Sequence, residues 1–357
     1  MMENRPDILQ DVEKIVHLLQ SRELDNKKSR WQQLADRVLA GHRLSQEEAL
    51  EILQSPEDQL VELLSAAYRL RRHYFGHQVQ VNFLINAKSG LCGEDCAYCS
   101  QSAVSKAPIP KYPLVSKERI LQGAELAMVH RANTYCIAIS GRSPADREVD
   151  QLAEAVRQLK SRYPLKVCVS IGLLSRPQAD RLKQAGVDRI NHNLNTSARF
   201  YPRICTTHSY QDRLATLEAV RAAGLEICCG GLLGMGEKDE DVVDLALELA
   251  RLEVAAIPIN FLNPIPGTPL EGVWRLTPRY CLKALCLFRF AVPKAELRMA
   301  AGREIHLGPL QPLGLYPANS LFVGGYLTTR GRDPQEDFQM IEALGFEVVS
   351  HGVHLFP

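Results

Sequence analysis

The sequence has almost no net charge and no long apolar run. Its 42 basic and 41 acidic side chains leave a formal charge of +1, which gives no reason to expect nucleic acid or an anionic membrane as a partner. The first residues are polar and are not followed by the apolar stretch of a signal peptide, and no segment is long enough to span a bilayer. We therefore predict a cytoplasmic protein.

Two kinds of site are also absent from the pattern. The single cysteine cluster is not followed by a second CxxC-like pair, whereas a structural zinc knuckle usually has two. The glycine-rich stretch 230–236 does not fit GxGxxG at a strand-to-helix turn, which excludes a dinucleotide site. The ten cysteines of a cytosolic chain should be reduced, so their clustering indicates metal binding or catalysis rather than disulfides.

The cysteine loop, residues 92–99, is the most informative stretch. Cys92, Cys96 and Cys99 follow an apolar run that reads as a strand, with the spacing CxxxCxxC. Three thiolates can hold three irons of a cubane and leave the fourth iron without a protein ligand, where chemistry can occur. A zinc knuckle and a chance cluster of core cysteines are the alternatives.

The periodicity of the chain predicts an α/β fold with two parts. Residues 1–75 show helical spacing and predict an N-terminal helical extension, in which Ser45 and Glu48 form a capping box. Residues 76–350 alternate strands and helices and predict a (βα)8 TIM-type barrel. The predicted strands are 79–86, 134–140, 166–172, 189–194, 225–233, 257–262, 296–300 and 320–324, and helices between them include 117–129, 149–159, 176–184, 210–222 and 240–252. A doubly wound open sheet is the alternative, but polar residues on many different strands favour a central lumen.

Strand parity predicts which side chains enter that lumen. Side chains alternate between the two faces of a strand, which places Cys136, Cys168, Cys228 and Arg298 inside, together with Glu226. The three thiols and the arginine form a hypothetical second cluster site, although any one of them could be an ordinary buried cysteine. The other four cysteines are interpreted as packing residues: Cys205, Cys229, Cys281 and Cys286.

Polar residues on the same face predict a ligand pocket. Asn193, Asn195 and Asn260 lie at inward positions, where neutral donor-acceptor groups orient a ligand or join a structural hydrogen-bond network. Arg213 lies on the helix that follows Asn195, and from the sequence alone a solvated helix face is its usual environment. Tyr98 offers an aromatic face inside the cysteine loop.

The CxxxCxxC spacing is that of the radical S-adenosylmethionine enzymes. Together with the stretches 135–136, 191–196, 226–231 and 297–304, it makes the chain resemble the biotin synthase family from about the end of its first quarter to near its C-terminus.

The resemblance implies two clusters and assigns residues to them. Cys92, Cys96 and Cys99 would hold a 4Fe-4S cluster whose open iron binds S-adenosylmethionine. The implied ligands of a 2Fe-2S cluster are Cys136, Cys168, Cys228 and Arg298; the implied cofactor contacts are Tyr98, Asn193, Asn195 and Arg213; and the implied substrate contacts are Asn193 and Asn260. On physical grounds alone, Arg298 would be a charge partner for the cluster or for Glu296, because a guanidinium is very hard to deprotonate.

The implied reaction is sulfur insertion into dethiobiotin. A 5'-deoxyadenosyl radical would remove hydrogen from an unactivated carbon, and sulfide of the second cluster would trap the carbon radical. The resemblance also implies a flavodoxin or ferredoxin as electron donor and a homodimer. Another radical S-adenosylmethionine enzyme, such as a methyltransferase or metallocofactor maturase, and a non-enzymatic iron-sulfur electron carrier are the alternatives.

Overall fold

The computed structural model describes residues 28–329 and 331–349, and a closed parallel barrel lies at its centre. Its strands are β1 (Gln78–Lys88), β2 (Thr134–Ile139), β3 (Lys166–Ser170), β4 (Arg189–Asn191), β5 (Glu226–Cys228), β6 (Gly231–Leu233), β7 (Ala256–Phe261), β8 (Glu296–Met299), β9 (Ser320–Phe322) and β10 (Glu347–Val348). Pairing of β1 with both β2 and β9 closes the ring, and β10 extends it beside the first residues of β1. The predicted (βα)8 barrel is confirmed.

Helices surround the barrel and cover its outer face. They are α1 (Arg30–Leu39), α2 (Gln46–Leu53), α3 (Leu60–Phe75), α4 (Lys117–Val129), α5 (Asp146–Arg162), α6 (Arg176–Gln184), α7 (Tyr210–Ala222), α8 (Asp239–Arg251), α9 (Pro278–Ala291), α10 (Arg303–Leu307) and α11 (Pro334–Ala343). The predicted bounds of α4, α6 and α7 are confirmed, because each begins after a serine that caps it. None of the helices within residues 28–329 and 331–349 is both long and apolar enough to cross a membrane.

The N-terminal helices α2 and α3 pack against α9 of the barrel, and α1 packs against α3. The predicted capping box of α2 is present. The Ser45 hydroxyl accepts from the backbone N–H of Glu48, and the Glu48 carboxylate accepts from the backbone N–H of Ser45. Lys283 on α9 donates to the backbone oxygen of Ser55 at 2.5 Å and to Glu57 at 2.9 Å. Residues 1–27 of the predicted extension, and residue 350 of the predicted barrel, lie outside the described residues, and the division at residue 75 stays a prediction.

The predicted fifth strand, 225–233, is interrupted in the structure. Strand β5 ends at Cys228 and β6 begins at Gly231, because Pro258 on the neighbouring β7 has no N–H for the ladder. A Cβ on Gly230 would lie 2.0 Å from the backbone oxygen of Pro258, so only glycine fits this approach. The predicted fourth strand also ends early, at Asn191, and farther along the chain Asn195 has a left-handed φ of +68°.

Ion pairs line the N-terminal mouth of the barrel, where strands begin. Glu296 contacts Arg189 at 2.7 Å and Arg298 at 2.6 Å, and all three side chains are buried. Glu226 contacts Arg189 at 2.8 Å, but its side chain is 42% exposed. The prediction that Glu226 lies inside is therefore wrong: as the first residue of β5 it stands at the rim, where water reaches it.

Candidate active site

The cysteine loop lies at the C-terminal mouth of the barrel, directly after β1. Its three thiols, those of Cys92, Cys96 and Cys99, line a cavity of about 290 Å³. Ligand sites of such barrels lie at this end, because the loops after the strands converge there. Burial raises the pKa of Cys92 and raises that of Cys99 to about 11. The thiols therefore need a nearby positive charge, which a bound metal supplies, to become thiolates.

Hydrogen bonds hold this loop against the segment that follows β4. The carboxylate of Asp95 accepts from the backbone N–H groups of Thr206 at 2.9 Å and Thr207 at 3.2 Å. The backbone N–H of Ala97 donates to the oxygen of Ile204 at 2.9 Å. These contacts fix the position of the cysteine loop at the mouth of the barrel.

The predicted cofactor residues form one wall of the larger cavity. The amide of Asn195 donates to the hydroxyl of Tyr98 at 2.7 Å. Arg213 is buried and donates to the backbone oxygen of Asn193 at 2.7 Å and to the hydroxyl of Tyr201. The alternative of a solvated helix face for Arg213 is therefore wrong, and a buried cation faces a cavity that a carboxylate could enter.

Asn193 and Asn260 line the same cavity but already make hydrogen bonds. The side-chain oxygen of Asn193 accepts from the backbone N–H of Gly230 at 3.0 Å. Asn260 donates to the oxygen of Gly231 at 3.0 Å and accepts from the N–H of Ala301 at 3.2 Å. The oxygen of Asn193 also accepts from the amide of Asn191 at 3.1 Å. Asn193 therefore keeps its N–H groups for a ligand, and Asn260 keeps one N–H and one acceptor position.

The second predicted set of cysteines comes together lower in the lumen. Cys136 on β2 lies opposite Cys168 on β3 in the ladder, and the thiol of Cys168 contacts both Cys136 and Cys228. Contact with Cys136 and burial raise the pKa of Cys168 well above its usual range. A small cavity of about 40 Å³ lies beside Cys136, Cys168 and Arg298. Cys229 faces the other way, into the core between barrel and helices.

Arg298 is fixed in place by its neighbours. It donates to Glu296 at 2.6 Å and, through Nε, to Ser320 at 3.3 Å. Burial alone would lower the pKa of Arg298, but the adjacent Glu296 carboxylate outweighs it and raises the pKa above its usual value. In this arrangement the guanidinium is a cation beside three thiols.

The two cavities are adjacent. They share the lining residues Ala138, Ser170, Asn191, Tyr326 and Leu327. The cysteine loop and the second cysteine set therefore lie on either side of one group of lining residues.

One cysteine was misjudged from the sequence. Cys205, interpreted as a packing residue, lies with its sulfur 3.7 Å from that of Cys96 and 3.2 Å from Nδ1 of His208. His208 in turn contacts the buried carboxylate of Glu94. The sequence pattern CxxH at 205–208 is the signal that could have identified this group.

Three residues that line the larger cavity each carry a buried polar atom with no partner among the described residues. They are Asn86, Ser140 and His192, through Oδ1, Oγ and Nε2. Burial lowers the pKa of His192 well below its usual value, so this side chain is neutral at pH 7. The cavity itself is lined by three thiols, a buried arginine and neutral amides, and this set of side chains fits a polar cofactor bound to a metal cluster.

Comparison with known proteins identifies the family. Residues 88–249 match the Radical SAM superfamily, and residues 258–347 match the Biotin and Thiamin Synthesis associated domain. Biotin synthase of Geobacillus kaustophilus is 55% identical over 318 residues, which are 89% of this chain and 96% of that protein. Biotin synthase of Bacillus subtilis is 53% identical over 322 residues, 90% of this chain and 96% of that protein.

Solved structures with low sequence identity share the fold. Methylornithine synthase has a TM-score of 0.76 at 21% identity, covering 88% of this chain and 97% of its own. The FeFe-hydrogenase maturase HydG from Carboxydothermus hydrogenoformans has a TM-score of 0.76 at 17% identity, covering 96% of this chain and 83% of its own. At such identity these two support the barrel alone. From its curated relatives, the chain belongs to the biotin synthase family of radical S-adenosylmethionine enzymes.

Proposed function

We propose that this chain converts dethiobiotin to biotin by holding two iron-sulfur clusters at two levels of one barrel lumen. The family acts on dethiobiotin with S-adenosylmethionine, a 4Fe-4S cluster and a 2Fe-2S cluster. The observation that carries the proposal is the second cysteine set, three thiols from three different strands beside a buried arginine.

We assign one cluster to the level of the cysteine loop and the other to the level of the second cysteine set. Cys92, Cys96 and Cys99 hold the 4Fe-4S cluster, and the second set, Cys136, Cys168 and Cys228 with Arg298, holds the 2Fe-2S cluster. Tyr98, Asn193, Asn195 and Arg213 bind S-adenosylmethionine, and Asn193 and Asn260 bind dethiobiotin. The two cavities share lining residues, so the proposed sites of the two clusters are adjacent in the lumen.

The bound groups supply the chemistry: a 5'-deoxyadenosyl radical that removes hydrogen from dethiobiotin, and sulfide that enters the product. The protein supplies binding and position. Arg213, a buried cation, offers its remaining N–H groups to the cofactor carboxylate. The hydrogen bond from Asn195 to Tyr98 fixes the positions of both side chains in the cavity beside the cysteine loop. No side chain is needed as a general base for abstraction of a hydrogen atom.

The two alternative functions do not explain all the residues in the two cavities. A generic radical S-adenosylmethionine enzyme does not require three thiols on β2, β3 and β5. An electron carrier does not require a cavity of about 290 Å³ with a buried arginine.

The partners beyond the substrate are further parts of the proposal. A flavodoxin or ferredoxin delivers the electron near the cysteine loop, and the chain works as a homodimer. The cytoplasmic location expected from the sequence also remains a prediction.

The decisive variant is Cys168→Ala, compared with the original chain after anaerobic reconstitution with iron and sulfide. We expect the variant to cleave S-adenosylmethionine to 5'-deoxyadenosine but to form no biotin, because only the second cluster loses a ligand. Mössbauer spectra of iron-57 labelled protein should contain a cubane component and lack a 2Fe-2S component.

Cys286→Ala is the matched control. Cys286 is a fully buried cysteine on α9, packed away from both cavities, so this variant should keep both spectral components and biotin formation. Normal biotin formation by Cys168→Ala would contradict the assignment of the second site.

A further inference from the structure

Four side chains form a compact polar group beside the cysteine loop, which we call the Cys205 cluster: Glu94, Cys96, Cys205 and His208. The first two belong to the loop, and the other two to the segment before α7. All four are buried. Neither the predicted site residues nor the mechanism above uses Glu94, Cys205 or His208.

The spacing of these atoms matches one metal ion. Two thiolates bound to the same tetrahedral zinc lie about 3.8 Å apart, and a thiolate and an imidazole nitrogen about 3.5 Å apart. The sulfurs of Cys96 and Cys205 are 3.7 Å apart, and the sulfur of Cys205 is 3.2 Å from Nδ1 of His208. These three donor atoms all lie within 4.8 Å of one another.

The surroundings also suit a divalent cation. The carboxylate of Glu94 contacts Nδ1 of His208, so a negative charge lies beside the three donor atoms. The other ring nitrogen, Nε2, lies 2.9 Å from the hydroxyl of Tyr201. A histidine that binds metal through one nitrogen usually hydrogen-bonds through the other, which orients the ring.

We propose that the chain without its clusters binds one thiophilic divalent cation, such as Zn²⁺, through Cys96, Cys205 and His208. Binding releases the thiol protons to solvent, so two thiolates and a neutral imidazole surround the ion. Three protein ligands leave the fourth tetrahedral position to a solvent molecule.

This metal site and the 4Fe-4S cluster exclude each other. Both use Cys96, so a chain that holds the cation cannot assemble the cubane, and a chain with the cubane has lost one ligand of the cation. The exclusion rests on the proposed role of Cys96 in the cubane, whereas cation binding itself does not.

The test is an anaerobic titration of the reduced, cluster-free full-length chain with Co²⁺, followed by displacement with Zn²⁺. We expect one Co²⁺ per chain, with the absorption bands of tetrahedral cobalt and of thiolate-to-cobalt charge transfer. In Cys205→Ser and in His208→Asn, affinity for the cation should fall by at least tenfold, since even loss of an outer-shell partner costs about 10 to 100-fold.

Two further variants separate this site from the cubane. Cys92→Ala should bind Co²⁺ as the original chain does but fail to take up the 4Fe-4S cluster. Cys205→Ser should take up the 4Fe-4S cluster normally, and Zn²⁺ should slow that uptake in the original chain more than in this variant. Cys281→Ser, a change of a buried cysteine on α9, controls for loss of any thiol.

Two results would overturn the proposal: Co²⁺ binding that is unchanged in both Cys205→Ser and His208→Asn, or Co²⁺ binding that Cys92→Ala abolishes. Failure of cluster uptake in every variant and in the original chain, with Co²⁺ binding as expected, would count against the proposed function and leave the cation site supported.

Discussion

Replacing Glu296 by glutamine tests the ion pairs at the N-terminal mouth of the barrel. The Glu296 carboxylate accepts from Arg189 at 2.7 Å and from Arg298 at 2.6 Å, and it also accepts from Ser320 at 2.7 Å. Burial alone would raise the pKa of Glu296, but Arg298 and Arg189 outweigh it and hold the pKa well below its usual range. Glutamine keeps the size of the side chain and removes the charge that compensates two buried cations.

The expected loss of folding stability in Glu296→Gln follows from the uncompensated charge of the two arginines. Removing one partner of a buried ion pair costs about 3 to 5 kcal/mol, since the remaining charge stays desolvated. Glu226 contacts Arg189 as well, but its side chain is 42% exposed, and exposed pairs contribute only about 0 to 1 kcal/mol. Glu226→Gln is therefore the matched control for Glu296→Gln.

The assay is denaturant unfolding of the reduced, cluster-free chain at pH 7, followed by circular dichroism. We expect Glu296→Gln to lower the free energy of unfolding by about 3 to 5 kcal/mol, and Glu226→Gln to lower it by less than about 1 kcal/mol. Equal and small losses in the two variants would refute the reasoning, because burial would then have no effect on the strength of the pair.

The same pair predicts a pH dependence. A carboxylate whose pKa is lowered in the folded state stabilises the fold fully above its unfolded pKa, about 4.3, and this contribution is lost as the pH falls toward the folded pKa. The difference in stability between the original chain and Glu296→Gln should be constant from pH 7 to about pH 5.5 and shrink below about pH 4.3.

Three further outcomes are expected. Gly230→Ala should lower the free energy of unfolding by about 1 to 3 kcal/mol, because its Cβ meets a backbone oxygen at 2.0 Å, whereas Gly93→Ala, with no atom within 4 Å of its Cβ, should unfold as the original chain does. Cys228→Ala should remove the 2Fe-2S component of the Mössbauer spectrum, and Cys229→Ala should retain it. Loss of that component in Cys229→Ala alone would mean that Cys229, and not Cys228, is the cluster ligand. Asn195→Ala should weaken S-adenosylmethionine binding about tenfold, the worth of one hydrogen bond, and calorimetry showing unchanged affinity would remove this residue from the cofactor wall.

The barrel was predictable because its strands are short, apolar and separated by amphipathic helices. The inward cysteines were predictable too, since period-two alternation assigns a face to each residue of β2 and β3 without knowledge of the neighbours. The ends of β4 and β5 were not predictable in this way. The end of β5 depends on Pro258 beside Gly230, which is a contact between residues distant in sequence.

The Cys205 cluster shows the other limit of sequence analysis. Cys205 lies in a loop, where alternation does not assign a face, and its partners Glu94 and Cys96 are more than 100 positions away. The burial of Arg213 could not be predicted from the sequence for a related reason. Helical spacing does not reveal that the loop preceding α7 folds Tyr201 over the guanidinium.

The closed N-terminal mouth has a kinetic consequence. Among the described residues, Arg189, Glu296 and Arg298 occupy that end of the lumen with buried, paired charge, so we expect the lower cysteine set to be reached from the end that carries the cysteine loop. If the lumen opens only at the end with the cysteine loop, a cofactor bound at that end blocks access to the substrate site deeper in the lumen. We expect dethiobiotin to bind first and S-adenosylmethionine second, so that in steady-state kinetics an excess of the cofactor slows turnover at low substrate concentration, while a random-order pattern would show a second way in.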